Sequence, residues 1–134
     1  MRVVILAAAV AAAAASQPVP TGPQPTSVPI ITYDVPQDKG GQEVQVLRRE
    51  FPVGGSSGWH VHPGVETAYL LSGEMLLEMA GQQPMRLRAG DSFTAPRGVA
   101  HNGRNPGKVS ARLVITYVVD KGAAVRTTVS PPGR

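Results

Sequence analysis

The sequence predicts an all-β domain, an antiparallel barrel or jelly roll. Three observations carry that prediction. Short stretches alternate apolar and polar residues with period two, glycines and prolines punctuate them at close intervals, and no stretch has the period of an amphipathic helix. At 134 residues the chain is long enough for one core and too short for two.

The chain opens on Arg2 and an unbroken apolar run from Val3 to Ala15, ending in Ala13-Ala14-Ala15 before Ser16. A positive start, a short apolar run and small residues at its end form an export signal, so residues 1–15 are expected to be a signal peptide and the mature chain to begin near Ser16. The run stops well short of the about 20 apolar residues a bilayer span needs, and no cysteine follows it to carry a lipid. The expected location is periplasmic or secreted, without a stable membrane anchor. Residues 16–29 are rich in proline, which fixes φ and removes donors, and read as an extended or disordered spacer ahead of a domain spanning 30–134.

Ile30 to Tyr33 reads as a short first strand and Pro36 to Gln42 as a turn-rich loop. Glu43 to Phe51 alternates, with Val44, Val46 and Arg48 on one face and Gln45, Leu47, Arg49 and Phe51 on the other. Alternation alone leaves open which face is buried. Glu74 to Ala80 is a clearer half-buried strand, with Met75, Leu77 and Met79 on one face. A turn through Gly81-Gln82-Gln83 would return it as a hairpin pairing Met79 with Met85, Leu77 with Leu87 and Glu78 with Arg86. Arg86 and Arg88 then form a solvated face. Gly90-Asp91 marks a turn, Ser92 to Ala95 a short strand, and Pro96 to Gly98 another turn. Val109 to Val119 closes the domain, with Leu113, Ile115 and Tyr117 on one face. Its other face, Arg112, Val114, Thr116 and Val118, is more apolar than solvent demands, which points to a subunit contact and a homodimer.

Composition excludes several functions. Cysteine is absent, so disulfides, thiolate catalysis and sulfur-ligated zinc are all ruled out, and any metal is held by nitrogen and oxygen. The formal charge of +4 comes from scattered arginines and lysines, and aromatic content is 4%, which argues against nucleic acid as a partner.

What remains is the stretch from Gly54 to Gly73, centred on His60, His62 and Glu66. In an extended strand His60 and His62 share a face and form half of a chelate. Glu66 lies beyond a Pro63-Gly64 turn, where a returning strand would bring its carboxylate alongside. The only other histidine is His101. Trp59 and Tyr69 are out of phase with these residues, so Trp59 is expected to pack between layers and Tyr69 to face away. Met75, Leu77, Met79 and Phe93 are expected in the core or the pocket wall.

These residues resemble the two motifs of the cupins. The first motif is matched by Gly54, His60, His62, Glu66 and Gly73, and the second by Gly90, Pro96, Gly98, His101 and Asn105, with no position departing. The short gap between the motifs resembles small bacterial single-domain cupins. The resemblance implies a conical jelly-roll barrel holding one divalent transition metal on His60, His62, Glu66 and His101. It also implies that the glycines and Pro96 serve as corners. Three imidazoles and a carboxylate suit Mn, Fe, Co, Ni, Cu or Zn, and octahedral geometry leaves two positions for a small-molecule substrate or oxygen. An exported chain finds its metal outside the cytoplasm, where the Irving-Williams order favours Cu or Zn.

With every histidine used as a ligand, chemistry needing a separate acid and base is disfavoured, and chemistry the metal does largely alone is favoured. The resemblance points to quercetinase-like dioxygenases acting on a phenolic or enol substrate, with Glu66 both binding metal and accepting the substrate proton. The alternative is a non-enzymatic module that binds or senses a metal or small ligand.

Overall fold

A computed structural model of the chain describes residues 22–35 and 41–133, except the side chains of Ile31, Tyr33 and Val35. The expected signal peptide, residues 16–21 of the spacer and most of the loop from Pro36 lie outside the described residues.

The described residues form two antiparallel sheets and no helix. The first sheet is built from β1 (Thr26–Val35), β2 (Gln42–Phe51), β9 (Ala111–Asp120), β4 (Gly64–Ser72) and β7 (Ser92–Ala95), in that spatial order. The second is built from β10 (Thr127–Thr128), β3 (His60–Val61), β8 (His101–Arg104), β5 (Glu74–Met79) and β6 (Met85–Arg88). Their inward faces meet to form a jelly-roll core.

The period-two pattern decides which side chains enter that core. On β9 every second residue from Ala111 to Val119 is buried, and on β4 Glu66, Ala68 and Leu70 turn inward. Register then layers the interior: Glu66 lies opposite Tyr117, Ala68 opposite Ile115 and Leu70 opposite Leu113. The facing sheet supplies Met75, Leu77 and Met79 from β5 and Leu87 from β6. One end of the interior is thus apolar and the other polar. On β2 Leu47, Arg49 and Phe51 take the inner face, which settles the choice the alternation left open: Phe51 is core, Leu47 packs against it, and Arg48 is exposed.

β1 begins at Thr26, so the last four residues of the expected spacer are paired against β2. Proline at 29 is tolerated because β1 is an edge strand and its register shifts between Pro29 and Ile31, where a missing N–H breaks no ladder. The β5–β6 hairpin also departs from expectation, by two residues: Leu77 pairs with Met85, Met75 with Leu87 and Leu76 with Arg86. Met79 and Glu78 pair instead with His101 and Asn102 of β8 on the other edge of β5. The Gln82 amide closes a turn onto the Met79 carbonyl, and Pro84 has no N–H to extend the ladder toward it. A two-residue shift keeps the inward face inward, and Arg86 finds Glu74 at 2.9 Å rather than Glu78.

Two glycines permit the sharp changes of direction between sheets. Gly73, between β4 and β5, has φ +82°, and a Cβ there would lie 2.7 Å from Ala111 Cα. Gly64, at the start of β4, packs so closely on β9 that a Cβ would lie 2.0 Å from the Val118 carbonyl oxygen.

Candidate metal centre

The four residues singled out in the sequence converge at the polar end of the interior. His60 on β3 and His101 on β8 are directly paired across the second sheet, and His62 follows β3 at the corner before Pro63. Glu66 comes alongside the imidazoles, as expected. The chain crosses to the first sheet at Gly64, and the carboxylate faces the imidazoles from the opposite wall. All four are buried, at 2% exposure for each histidine and 4% for Glu66, and one ligand atom from each lies within 4.8 Å of the others.

Backbone carbonyls orient the imidazoles. Nδ1 of His60 lies 2.7 Å from the Gly58 carbonyl, Nδ1 of His62 2.6 Å from that of Val125, and Nδ1 of His101 2.9 Å from that of Val99. A carbonyl oxygen only accepts, so each Nδ1 carries the proton and each Nε2 presents a lone pair. This second layer fixes tautomer and ring orientation, as metal-ligating histidines require. The loop bearing Gly58 is itself tied to β8. Ser57 and Gly103 exchange backbone and hydroxyl bonds, Ser56 Oγ donates to Asn102 Oδ1 at 2.9 Å, and Asn102 Nδ2 donates to Glu78 Oε2 at 2.9 Å.

Proton accounting then tests the fit of a metal. Glu66 Oε2 lies 2.7 Å from Nε2 of His62 and 3.2 Å from Nε2 of His101, yet His62 Nε2 is buried with no aligned hydrogen-bond partner. With neutral rings these are lone pairs facing a carboxylate, and only a cation in their midst makes the arrangement favourable. Burial pulls the His60 imidazole down to about 3, against the Gly58 hydrogen bond that raises it, so charging that ring does not supply the cation. Burial alone would raise the Glu66 carboxyl, but the closeness of the His101 and His62 rings prevails and holds it at about 2, so it stays an anion. His60, His62, Glu66 and His101 form a metal-binding site suited to one divalent transition metal, with three nitrogen donors, one oxygen donor and no sulfur.

Three further residues reach the site that sequence reasoning did not single out. The Tyr117 ring packs on His62 at 4.8 Å between centroids, and burial, then Glu66, push its phenol well above the ordinary range. Arg49 Nη1 donates to Tyr117 Oη at 3.4 Å, and Arg126 Nη2 donates to the Ser57 carbonyl at 2.8 Å. Burial, then the charge of Arg49, hold Arg126 below the usual guanidinium range. Tyr117 and Arg49 were legible as members of strand faces, though not as neighbours of the site. Arg126 carries no local sequence signal.

A cavity of about 20 Å³ lies beside His60, Glu66 and His101, walled by Arg49, Met75, Leu77, Phe93 and Ile115; that is close to the space of one water molecule. Trp59 is half-buried in a groove with Pro131 and Pro132 that none of the four ligands lines. Tyr69 is 49% exposed and faces away. Gly54 and Asn105 act as a corner: the Gly54 amide donates to the Asn105 carbonyl, and Asn105 Nδ2 donates to the carbonyls of Phe51 and Val109.

Comparison with known proteins agrees with this geometry. The chain is 33% identical over 82 residues to oxalate oxidase 2 of Hordeum vulgare, covering 55% of this chain and 37% of that protein. It is 34% identical over the same length to germin-like protein 3-5 of Oryza sativa subsp. japonica. It spans little more than a third of the length of these curated relatives, 36% for the rice protein. Among solved structures, an oxalate oxidase in complex with the substrate analogue glycolate matches at 30% identity and TM-score 0.54, covering 60% of this chain and 44% of that one. An uncharacterized Klebsiella pneumoniae protein with a double-stranded beta-helix domain shares the fold at TM-score 0.63 and 21% identity, covering 81% of this chain and 90% of that one. Residues 47–119, more than half of the chain, match the family described as Cupin domain (Cupin_2), and the chain belongs to that family.

Proposed function

We propose that this chain is a metal-dependent oxidoreductase of small molecules. The observation that carries the reading is the buried centre itself, with three oriented Nε2 lone pairs and one carboxylate converging from opposite walls. Similarity to oxalate oxidases supports it. When bound, a divalent ion supplies Lewis-acid polarisation of an oxygen ligand and, if redox-active, electron transfer.

The chain's own residues supply the rest. Carbonyls of Gly58, Val99 and Val125 keep the imidazoles aimed. The apolar wall from Met75 to Ile115 excludes bulk water. Glu66 is the acidic residue at the centre, so it is the group that takes a substrate proton. The cavity of about 20 Å³ favours a small oxygen-bearing substrate, an enol or a short carboxylate, over a multi-ring phenol.

Oxygen consumption and product formation across a panel of short carboxylates, enols and phenols test this. Turnover that disappears in His60→Ala and Glu66→Gln is expected. Full metal loading and ligand binding with no turnover on any of them would leave the second reading, a non-enzymatic metal or small-ligand module, which the narrowness of the cavity favours.

Two further proposals concern the setting. Residues 1–15 direct export with cleavage near Ser16, so protein recovered outside the cytoplasm should lack them by intact mass and carry Cu or Zn rather than iron or manganese. A homodimer forms through the outer face of the first sheet, where Val65, Tyr69 and Leu71 are exposed and Val114 and Val118 half-buried; light scattering should give twice the mass of the mature chain.

A further inference from the structure

Six of the eight arginines among the described residues fall into two groups, with Arg48 and Arg88 exposed outside both. Arg86, Arg97, Arg104 and Arg112 are exposed and face carboxylates: Glu74 at 2.9 Å, Asp120 at 2.7 Å, Glu78 at 3.7 Å and Glu50 at 3.3 Å. Arg49 and Arg126 turn toward the metal centre, and among the described residues neither makes an ion pair. Arg49 reaches in from β2, its guanidinium 5.4 Å above the Phe51 ring and its Nη1 on the Tyr117 hydroxyl. Its Nε is buried with no hydrogen-bond partner among the described residues. Arg126 approaches from the C-terminal segment, pinned by the Val125 carbonyl on His62 and by pairing of Thr127 and Thr128 with Val61 and His60.

The charge of this end of the barrel is unbalanced. Glu66 is the carboxylate at the centre, and it is engaged by His62 and His101. Two guanidiniums already outweigh it, and a divalent ion enlarges the surplus. Charges removed from water are costly unless paired. The fork of a guanidinium matches a carboxylate better than any neutral group.

We propose that Arg49 and Arg126 form an anion seat beside the metal centre, which selects a small carboxylate, above all a doubly charged one, over neutral ligands of the same size. Arg49, which lines the cavity, supplies the buried Nε that lacks a partner among the described residues, and Arg126 supplies charge from the C-terminal segment, held on the Ser57 carbonyl. The seat extends the oxidoreductase reading by naming the ligand class, and it rests on that reading only for the claim that the ligand is turned over.

The test reads binding. Cobalt-loaded protein is titrated with oxalate, glycolate and imidazole, following the visible absorption of the metal. Oxalate should bind more tightly than glycolate, and Arg49→Gln and Arg126→Gln should each weaken oxalate by at least about tenfold, the usual cost of losing a charged hydrogen bond. Imidazole affinity and cobalt content should not change. Arg49→Lys and Arg126→Lys should recover part of the loss, which a merely structural role would not produce. Equal oxalate affinity in wild type and Gln variants at full cobalt content would overturn the proposal. Should a Gln variant fail to fold, a wild-type protein binding oxalate no better than glycolate would overturn it equally. Absence of turnover with the binding pattern intact would sink the oxidoreductase reading and leave the anion seat standing.

Discussion

The two sheets contribute to the centre in opposite ways. The first is built on long strands: β2 and β9 share ten paired positions, β4 runs beside β9 for most of its length, and Glu66 is the single metal ligand it offers. The second carries His60 on, and His62 just after, its least paired strand, while His101 sits on β8, which is paired along its length with β5. β3 and β10 have two residues each, and β3 meets β8 only through His60 and His101. One wall is held by its ladder and its core. The other, near the centre, is held by carbonyl bonds to imidazoles and by whatever the imidazoles grip. The lesson is that a metal here is a clasp between a rigid wall and a loosely laddered one, so binding free energy is also folding free energy for the second.

The sharpest break in that asymmetry comes from cutting the clasp on its rigid side. Glu66→Gln removes the first sheet's only ligand and should lower metal affinity by more than about a hundredfold, beyond what loss of an outer-shell partner does, in competition with a coloured chelator. Leu113→Ala leaves every ligand in place but hollows the apolar end. It should cost about 2 to 5 kcal/mol in urea unfolding of the metal-free protein, with metal stoichiometry unchanged. If Leu113→Ala also lost the metal, the two ends would not be separable.

Hydrogen exchange sharpens the comparison. Removing the metal should speed amide exchange in β3, β8 and β10 by at least about tenfold while leaving β2 and β9 near their protected values, because local opening follows local contact density. Uniform acceleration in both sheets would contradict the clasp. The smallest effect is acid sensitivity. His60 falls from an ordinary 6.5 to about 3 in the folded protein, chiefly through burial, so the unfolded chain binds a proton there that the folded one refuses. That contribution is complete above about pH 6.5 and is lost as pH falls toward 3. Glu66, lowered from 4.5 to about 2, adds to the loss below about pH 4.5. Melting temperatures of the metal-free protein should therefore decline from pH 6.5 downward, and less steeply in His60→Gln.

The ligands were legible because residue type and spacing both constrain them: two imidazoles two apart on a strand, a carboxylate past a Pro-Gly corner, and one remaining histidine. The inward faces of β5 and β9 followed from alternation. What failed were matters a local pattern does not contain. The β5–β6 register slipped by two because the chain turns back at Gln82 onto the Met79 carbonyl and Pro84 has no N–H to extend the ladder, which leaves Glu78 and Met79 paired with β8 alone. The Glu66 carboxylate came alongside the imidazoles as expected, but nothing in the local pattern says that Gly64 sends the chain to the other sheet. Arg49 was ambiguous because either face of β2 carries an arginine. Arg126 sits in a segment paired with a strand more than fifty positions earlier.

Gly64 sets a condition on anyone who would graft this centre elsewhere. Copying the three imidazoles and the carboxylate onto another barrel supplies the donors but not the entry of the acid's strand into its own sheet. That entry depends on backbone meeting backbone where Gly64 of β4 sits against the Val118 carbonyl of neighbouring β9. A recipient scaffold with even a methyl group at that crossing would set its acid and its imidazoles apart, and would inherit the list of parts without the grip.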